Sequence, residues 1–307
     1  MRGQTIGYEA AGRQGADARK AEGGAKSWSA RLGGWSRDEP ENEAALARWE
    51  RWLYALCPYV VGVVFLTVWE VEVRVRGVPI YILPPPSAVA VELWADFATL
   101  FDSLLVTLKI TLLAFFFAAT GGILLAIVLT SSRLVERSLI PYAVILQVTP
   151  TVAIAPLIII WAKNASLALF ICAWLVAFFP VVSNAVTGLH SADSNLTSLF
   201  RLYRANRLQT LLLLRLPGAL PYYLTGLRIS SGLSLIGAVV AEFVAGTGGT
   251  QSGLAYRVLE SGYRLEIPRM FAALFLISVT GIALYGLVAV FSNLCLRNWH
   301  ESAVKQE

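Results

Sequence analysis

Six long apolar runs dominate this chain, and each comes close to the length that crosses a lipid bilayer. They extend from Leu53 to Trp69, Leu104 to Thr130, Leu139 to Trp161, Leu167 to Leu189, Ala219 to Val240 and Phe271 to Leu296. A hydrocarbon core of roughly 30 Å needs about 20 helical residues, and lipid offers the backbone no hydrogen-bond partner. Each run is therefore expected to be a helix. The predicted fold class is all-α, a polytopic membrane protein with six transmembrane helices. Composition agrees, since 56% of the 307 residues are hydrophobic, 15% are charged and the mean hydropathy is +0.62. The net charge of +5 resides in the N-terminal tail and between the apolar runs. That placement points to membrane lipid as the surroundings and away from nucleic acid as a partner.

Basic residues set the expected orientation. With six spans both termini share one side, and that side carries seventeen Lys and Arg against six on the other. The short loops carry the better signal: Arg133 and Arg137 in 131–138, and Arg201, Arg204, Arg207 and Arg215 in 190–215. Both termini are thus expected in the cytoplasm. Residues 1–50 form a polar tail rich in Gly, Ala, Arg and Glu, too hydrophilic for a cleaved signal peptide and expected to be largely disordered. Glu41 to Arg51 alone suggests a short interfacial helix. Residues 51–307 make the transmembrane domain.

Between the spans the punctuation is specific. Glu70, Glu72, Arg74 and Arg76 are expected to end the first span, and Ile82 to Ser87 (ILPPPS) reads as a stiff extended stop. Ser87 suits an N-cap for an amphipathic helix to about Asp102. Gly121 and Gly122 allow close helix approach in the second span. The third span holds Gln147, Thr149, Pro150, Thr151 and Pro156, and the fourth is interrupted at Pro180 beside Ser183 and Asn184. Prolines there free backbone carbonyls, which are tolerated where they face protein or a water-filled cavity. Residues 245–253 (AGTGGTQSG) are glycine-rich, but no Lys-Ser/Thr follows at the offset of a phosphate loop.

Conventional active-site chemistry is hard to build from these residues. Neither histidine, His190 or His300, has a second ligand at metal-binding spacing, and Cys57, Cys172 and Cys295 are scattered. Buried spectators are the expected role of the cysteines. No catalytic residue, metal or cofactor is assigned, and no Walker A motif is present. The candidates are polar groups inside spans, where they are costly. Gln147, Thr149 and Thr151 with Asn184 are candidates for a solute path, or else they only satisfy carbonyls freed by proline. Arg228 either holds two spans, or two halves of an assembly, together, or snorkels to the headgroups. Glu242 is either an outer gate or contact for a binding protein, or an ordinary interfacial carboxylate.

One stretch carries a family resemblance. Leu216-Pro217-Gly218-Ala219-Leu220-Pro221, then Gly226-Leu227-Arg228-Ile229, then Val240-Ala241-Glu242, resembles the inner-membrane permease of bacterial ABC importers of the nitrate/sulfonate/taurine type, a group that also takes in pyrimidine-precursor carriers. The Leu83-to-Ser87 entry is similar as well. The resemblance implies a type I importer permease fold in the bacterial inner membrane. It implies a second permease copy, as a homodimer, an extracytoplasmic solute-binding protein, and ABC ATPase subunits that bind the ATP and Mg this chain does not. It makes 190–215 the coupling loop, with Arg201, Leu202, Tyr203, Arg204, Ala205, Asn206 and Arg207 as the docking segment. Pro217, Pro221, Gly226, Arg228 and Glu242 become structural or gating positions. Here the chain departs from the family pattern: Ser198, Leu199 and Phe200 stand where the family has Glu-Ala-Ala, and Arg204 stands at its glycine.

Relatives that move inorganic or sulfonate anions resemble one another in an arginine near position 147, whereas Gln147 is neutral and Thr149 to Pro156 looks more like the pyrimidine-precursor branch. The expected function is import of a small organic solute, pyrimidine-like, sulfonate or related, by alternating access. The alternatives are a scaffold or assembly protein that moves no solute, and an ion-driven carrier. The carrier is disfavoured because no Asp, Glu or His lies deep in a span.

Overall fold

The computed structural model describes residues 40–245 and 252–297, and the chain divides into two compact units, Met1–Trp69 and Glu70–Glu307. Residues 1–39, which hold most of the basic tail, lie outside the described residues, as do 246–251 and 298–307 with His300. Among the described residues there are helices and turns and no strand. The helices are α1 (Pro40–Val75), α2 (Pro86–Ala95), α3 (Phe97–Ser131), α4 (Arg133–Val148), α5 (Thr151–Ala162), α6 (Ala165–His190), α7 (Ser194–Leu202), α8 (Arg207–Thr210), α9 (Leu216–Ala245), α10 (Leu254–Tyr263) and α11 (Ile267–Leu296). A π-helical turn, Leu211–Arg215, joins α8 to α9.

Five helical stretches are long and apolar enough to cross a membrane: Leu56–Val75, Phe97–Ser131, Ala165–His190, Arg207–Ala245 and Ile267–Leu296. The third expected span is different, being split into α4 and α5 at Thr149-Pro150. At 1.5 Å per residue α5 reaches about 18 Å, too short to cross alone. The break falls at Pro150, which N-caps α5 in an extended conformation, while Pro156 is carried inside the helix. Pro180 likewise lies within an unbroken α6, which corrects the expected interruption.

Other boundaries also differ from expectation. The first span does not stop at its charges: α1 continues to Val75, with Glu70–Arg74 and Glu72–Arg76 ion pairs at helical spacing along it. Gly77, at φ +61°, then turns the chain. Ser87 is not an N-cap; Pro85 holds that position, and the Ser87 N–H and hydroxyl both donate to the Glu70 carboxylate. The helix expected to reach Asp102 ends at Ala95, because Asp96 (φ −107°, ψ 23°) breaks it and is held by Arg269 at 2.7 Å. Of the cysteines only Cys172 is buried, and Cys57 is exposed.

The core of the Glu70–Glu307 unit is built on α6, which packs along α3 on one side and α9 on the other. Lipid tails are as apolar as leucine, so close van der Waals contact between small residues has to hold such helices together. The buried positions fit that demand: Ala114 and Ala118 of α3, Ala168, Ala173, Ala177 and Ala185 of α6, and Ala219, Ala238 and Ala241 of α9. A Cβ on Gly226 would lie 3.0 Å from the Asn184 Cβ and 3.2 Å from the Pro180 carbonyl oxygen, so a larger residue there would force α9 off α6. Gly122 approaches Val181 in the same way. A second core, made by Leu100, Leu254, Val258, Ala272 and Ala273, joins α3, α10 and α11.

Candidate functional site

The basic loop 190–215 folds as a short amphipathic helix and a tight turn. Asp193 caps α7 by accepting the Asn195 N–H at 2.7 Å. The helix ends in paired reverse bonds, Ala205 N–H to the Phe200 carbonyl and Arg204 N–H to the Arg201 carbonyl. That closure puts Arg204 in the left-handed region, at φ +54°. Glycine fills such a position without a Cβ penalty, which accounts for the family pattern at the site Arg204 occupies. Asn206 then starts α8 with a reciprocal capping box to Gln209. The turn is thus stabilised even with an arginine in it.

Both faces of α7 are open, since Ser194, Ser198 and Arg201 are exposed along with the leucines, and Thr197 and Phe200 are half-buried. Ser194, Thr197, Ser198 and Arg201 line a cavity against the ends of α6 and the π-turn. Leu196, Leu199, Leu202 and Tyr203 do not line this cavity and are 46%, 44%, 80% and 80% exposed, whereas Phe200 is half-buried. Arg204 and Arg207 are exposed beside them, and Ala205 is half-buried. A contiguous exposed apolar ridge of this kind marks a contact surface. Leu196 and Leu199 were not among the expected docking residues, which centred on the arginines. Their spacing with Leu202 on one face was the available signal.

The four solute-path candidates are not brought together by hydrogen bonds with one another among the described residues. Gln147 is exposed near the end of α4, and Thr149 and Thr151 flank the break, half-buried. The Thr149 hydroxyl donates to the Ile145 carbonyl at 2.7 Å, closing the end of α4. Asn184 donates to the Pro180 carbonyl at 2.8 Å within α6. Two of the four polar groups therefore serve their own helices, leaving Gln147 and Thr151 as the better candidates for solute contact.

Arg228 pairs two spans: its Nη2 donates to Asn293 Oδ1 at 2.6 Å, tying α9 to α11. Pro217 and Pro221 lie half-buried inside α9. One residue, Leu216, separates the π-turn from Pro217, whose missing N–H removes the α-helical donor that the Leu213 carbonyl would otherwise have.

Glu242 is 2% exposed, a buried junction rather than a surface contact of this chain. Its carboxylate accepts from Thr107 Oγ1 at 2.8 Å and from the Ala255 N–H at 2.9 Å, while Thr107 Oγ1 accepts the Leu254 N–H at 2.9 Å. Three elements, α3, α9 and the start of α10, thereby meet at one side chain. Gly253 packs directly on this carboxylate and leaves no room for a Cβ. Next to the junction, Asp102, Ser103, Tyr256, Arg257 and Glu260 line a polar cavity of about 520 Å³. There Arg257 donates to Ser103 Oγ at 2.9 Å and pairs with Glu260 at 2.8 Å. Helix α10 was not expected from the sequence; Leu254, Ala255 and Val258 at helical spacing were its signal. No cluster of three metal-ligating side chains occurs among the described residues.

Comparison with known proteins matches residues 118–294 to the family described as binding-protein-dependent transport system inner membrane component. The chain is 32% identical over 230 residues to a probable ABC transporter permease protein of Haemophilus influenzae, covering 75% of this chain and 92% of the relative. It is 30% identical over 243 residues to the formylaminopyrimidine transport permease protein of Halalkalibacterium halodurans, covering 79% and 95%. It is 31% identical over 269 residues to the taurine transport system permease protein of Escherichia coli, covering 83% and 93%. The matched region runs from within α3 to within α11, so it contains the broken third span, the α7 segment, Glu242 and Ala255, while Thr107 of the junction lies before it. This chain belongs to the binding-protein-dependent transport family, as an inner-membrane permease of the ABC importer kind with the nitrate/sulfonate/taurine-type permeases as its relatives.

Proposed function

We propose that the chain is one of two identical permease subunits that import a small organic solute by alternating access, driven by ATPase subunits docked on α7. The observation that carries this reading is the exposed ridge of Leu196, Leu199, Leu202 and Tyr203 on a short helix within the basic loop. ATP and Mg then act on the partner ATPase, and this chain contributes no hydrolytic group. A solute-binding protein delivers from the opposite side. The neutral Gln147 and the formylaminopyrimidine-transporting relative favour a neutral or heterocyclic solute over an inorganic anion.

The solute passes, in this proposal, along the face that carries the α4–α5 break. The test is uptake into vesicles holding the permease, its ATPase subunits and its binding protein, with formylaminopyrimidine and taurine as labelled solutes. Gln147→Leu with Thr151→Val is expected to cut uptake roughly tenfold or more through loss of two polar contacts, with assembly retained. Normal uptake by the double variant would place the path elsewhere.

Both termini are cytoplasmic in this reading, supported by the arginines of 131–138 and 190–215. Single cysteines at Ser198 and Tyr263 report it in a Cys57→Ser background, since Tyr263 is 82% exposed. An impermeant thiol reagent applied to intact cells is expected to label position 263 and spare 198. Labelling of 198 alone would reverse the topology.

A further inference from the structure

Behind the α7 ridge lies a cavity of about 300 Å³ lined by His190, Ser194, Thr197, Ser198, Arg201 and Arg215. Neither Arg201 nor Arg215 forms an ion pair among the described residues. The nearby acids are occupied and do not line it: Glu136 meets His190 Nε2 at 3.1 Å, and Asp193 accepts the Asn195 N–H. Arg215 ends the π-turn, where Leu216 donates back to the Leu211 carbonyl. The extra residue in such a turn rotates the helix after it against the helix before it, and π-turns recur at functional sites.

We infer that this cavity binds a phosphate group. Two guanidinium forks without an ion pair, with the Ser194 hydroxyl beside Arg201 on α7, suit a ligand with three or more oxygens, which a carboxylate lacks. The Ser198 hydroxyl is already donated to the Ser194 carbonyl at 2.9 Å. The α7 ridge does not line the cavity, and a small anion fits here where a protein side does not. Phosphate in place bridges Arg201 of α7 to Arg215 at the head of α9, fastening the docking helix to the fifth span. The group comes either from free phosphate or from the headgroup of an anionic lipid. The site is a property of this chain and does not depend on the identity of the imported solute.

The test uses the full-length chain and two probes. In neutral detergent, inorganic phosphate is titrated calorimetrically at fixed ionic strength. In parallel, the chain is taken from vesicles of phosphatidylglycerol and phosphatidylcholine in equal parts, and retained phosphatidylglycerol is counted by native mass spectrometry. The expected result is one phosphate group held per chain, weakened about tenfold or more by either Arg201→Ala or Arg215→Ala. The Arg201→Lys/Arg215→Lys variant, which keeps the charge but loses the forks, is expected to bind with intermediate affinity and guards against misfolding. Saturable phosphate binding identifies the free anion, and arginine-dependent phosphatidylglycerol retention identifies the lipid. Binding of neither probe overturns the inference, and so does an equal loss in Arg204→Ala, which lies outside the cavity.

Discussion

Glu242→Ala is expected to destabilise the protein by about 3–5 kcal/mol, from about 1–3 kcal/mol for a buried donor left without its acceptor plus the cost of the cavity left behind. The alanine would leave the Ala255 N–H without its acceptor and the Thr107 hydroxyl with only the longer bond to the Ser103 carbonyl, at 3.3 Å. Both groups sit where water cannot replace it, since Thr107 and Ala255 are fully buried. The loss also opens a void between α3, α9 and the first turn of α10. A melting temperature lower by on the order of 10 °C is expected for a domain of this size. The start of α10 should loosen first, because Leu254 and Ala255 are fastened to the spans through this junction. A cysteine at Ser252, which is 2% exposed, should then become reactive in Glu242→Ala but not in the otherwise wild-type chain. Glu242→Gln retains an acceptor for Ala255 and should fall between the two. A Glu242→Ala protein that melts within about 2 °C of wild type would show that the junction carries no weight.

The second large effect is expected at the α7 ridge. Burying a leucine is worth about 1.5–3 kcal/mol, so Leu199→Glu with Leu202→Glu should weaken docking of the ATPase subunits by on the order of a hundredfold or more. The fold of the permease should be untouched, because both side chains are exposed within this chain. Copurification of the ATPase from detergent extracts measures the loss, and permease yield in the membrane controls for folding. Undiminished copurification would refute α7 as the docking element. The basic residues beside the ridge are expected to act differently: Arg204→Glu with Arg207→Glu should chiefly make association slower and more salt-dependent. That contrast separates an apolar anchor from electrostatic steering.

These two expectations divide along the line between what composition dictates and what packing dictates. The apolar runs, the basic 201–215 segment and the broken third span are legible from residue types alone. Lipid forbids unsatisfied backbone whatever the tertiary arrangement, and Pro150 lacks its N–H in any fold. The length of α1 is not legible in this way, because charges at Glu70, Glu72, Arg74 and Arg76 look like a membrane boundary in sequence, yet pair along a helix at i,i+4. Asp96 looks like the interior of a helix because the partner that holds it, Arg269, lies on α11.

The sequence by itself determined the class of the protein and its long apolar helices, since these come from hydropathy and a family-like motif. Tertiary structure alone decided which side chains act together. Glu242 and Thr107 are 135 residues apart, and no local pattern predicts that one buried carboxylate seats the N-terminus of α10. Arg201 and Arg215 share a cavity only because a π-turn and a nine-residue helix bring them to it. On α7 the sequence presents an apolar stripe and a polar stripe with equal clarity. Only the tertiary structure sets the polar stripe along the cavity shared with His190 and Arg215 and leaves Leu199 and Leu202 outside it.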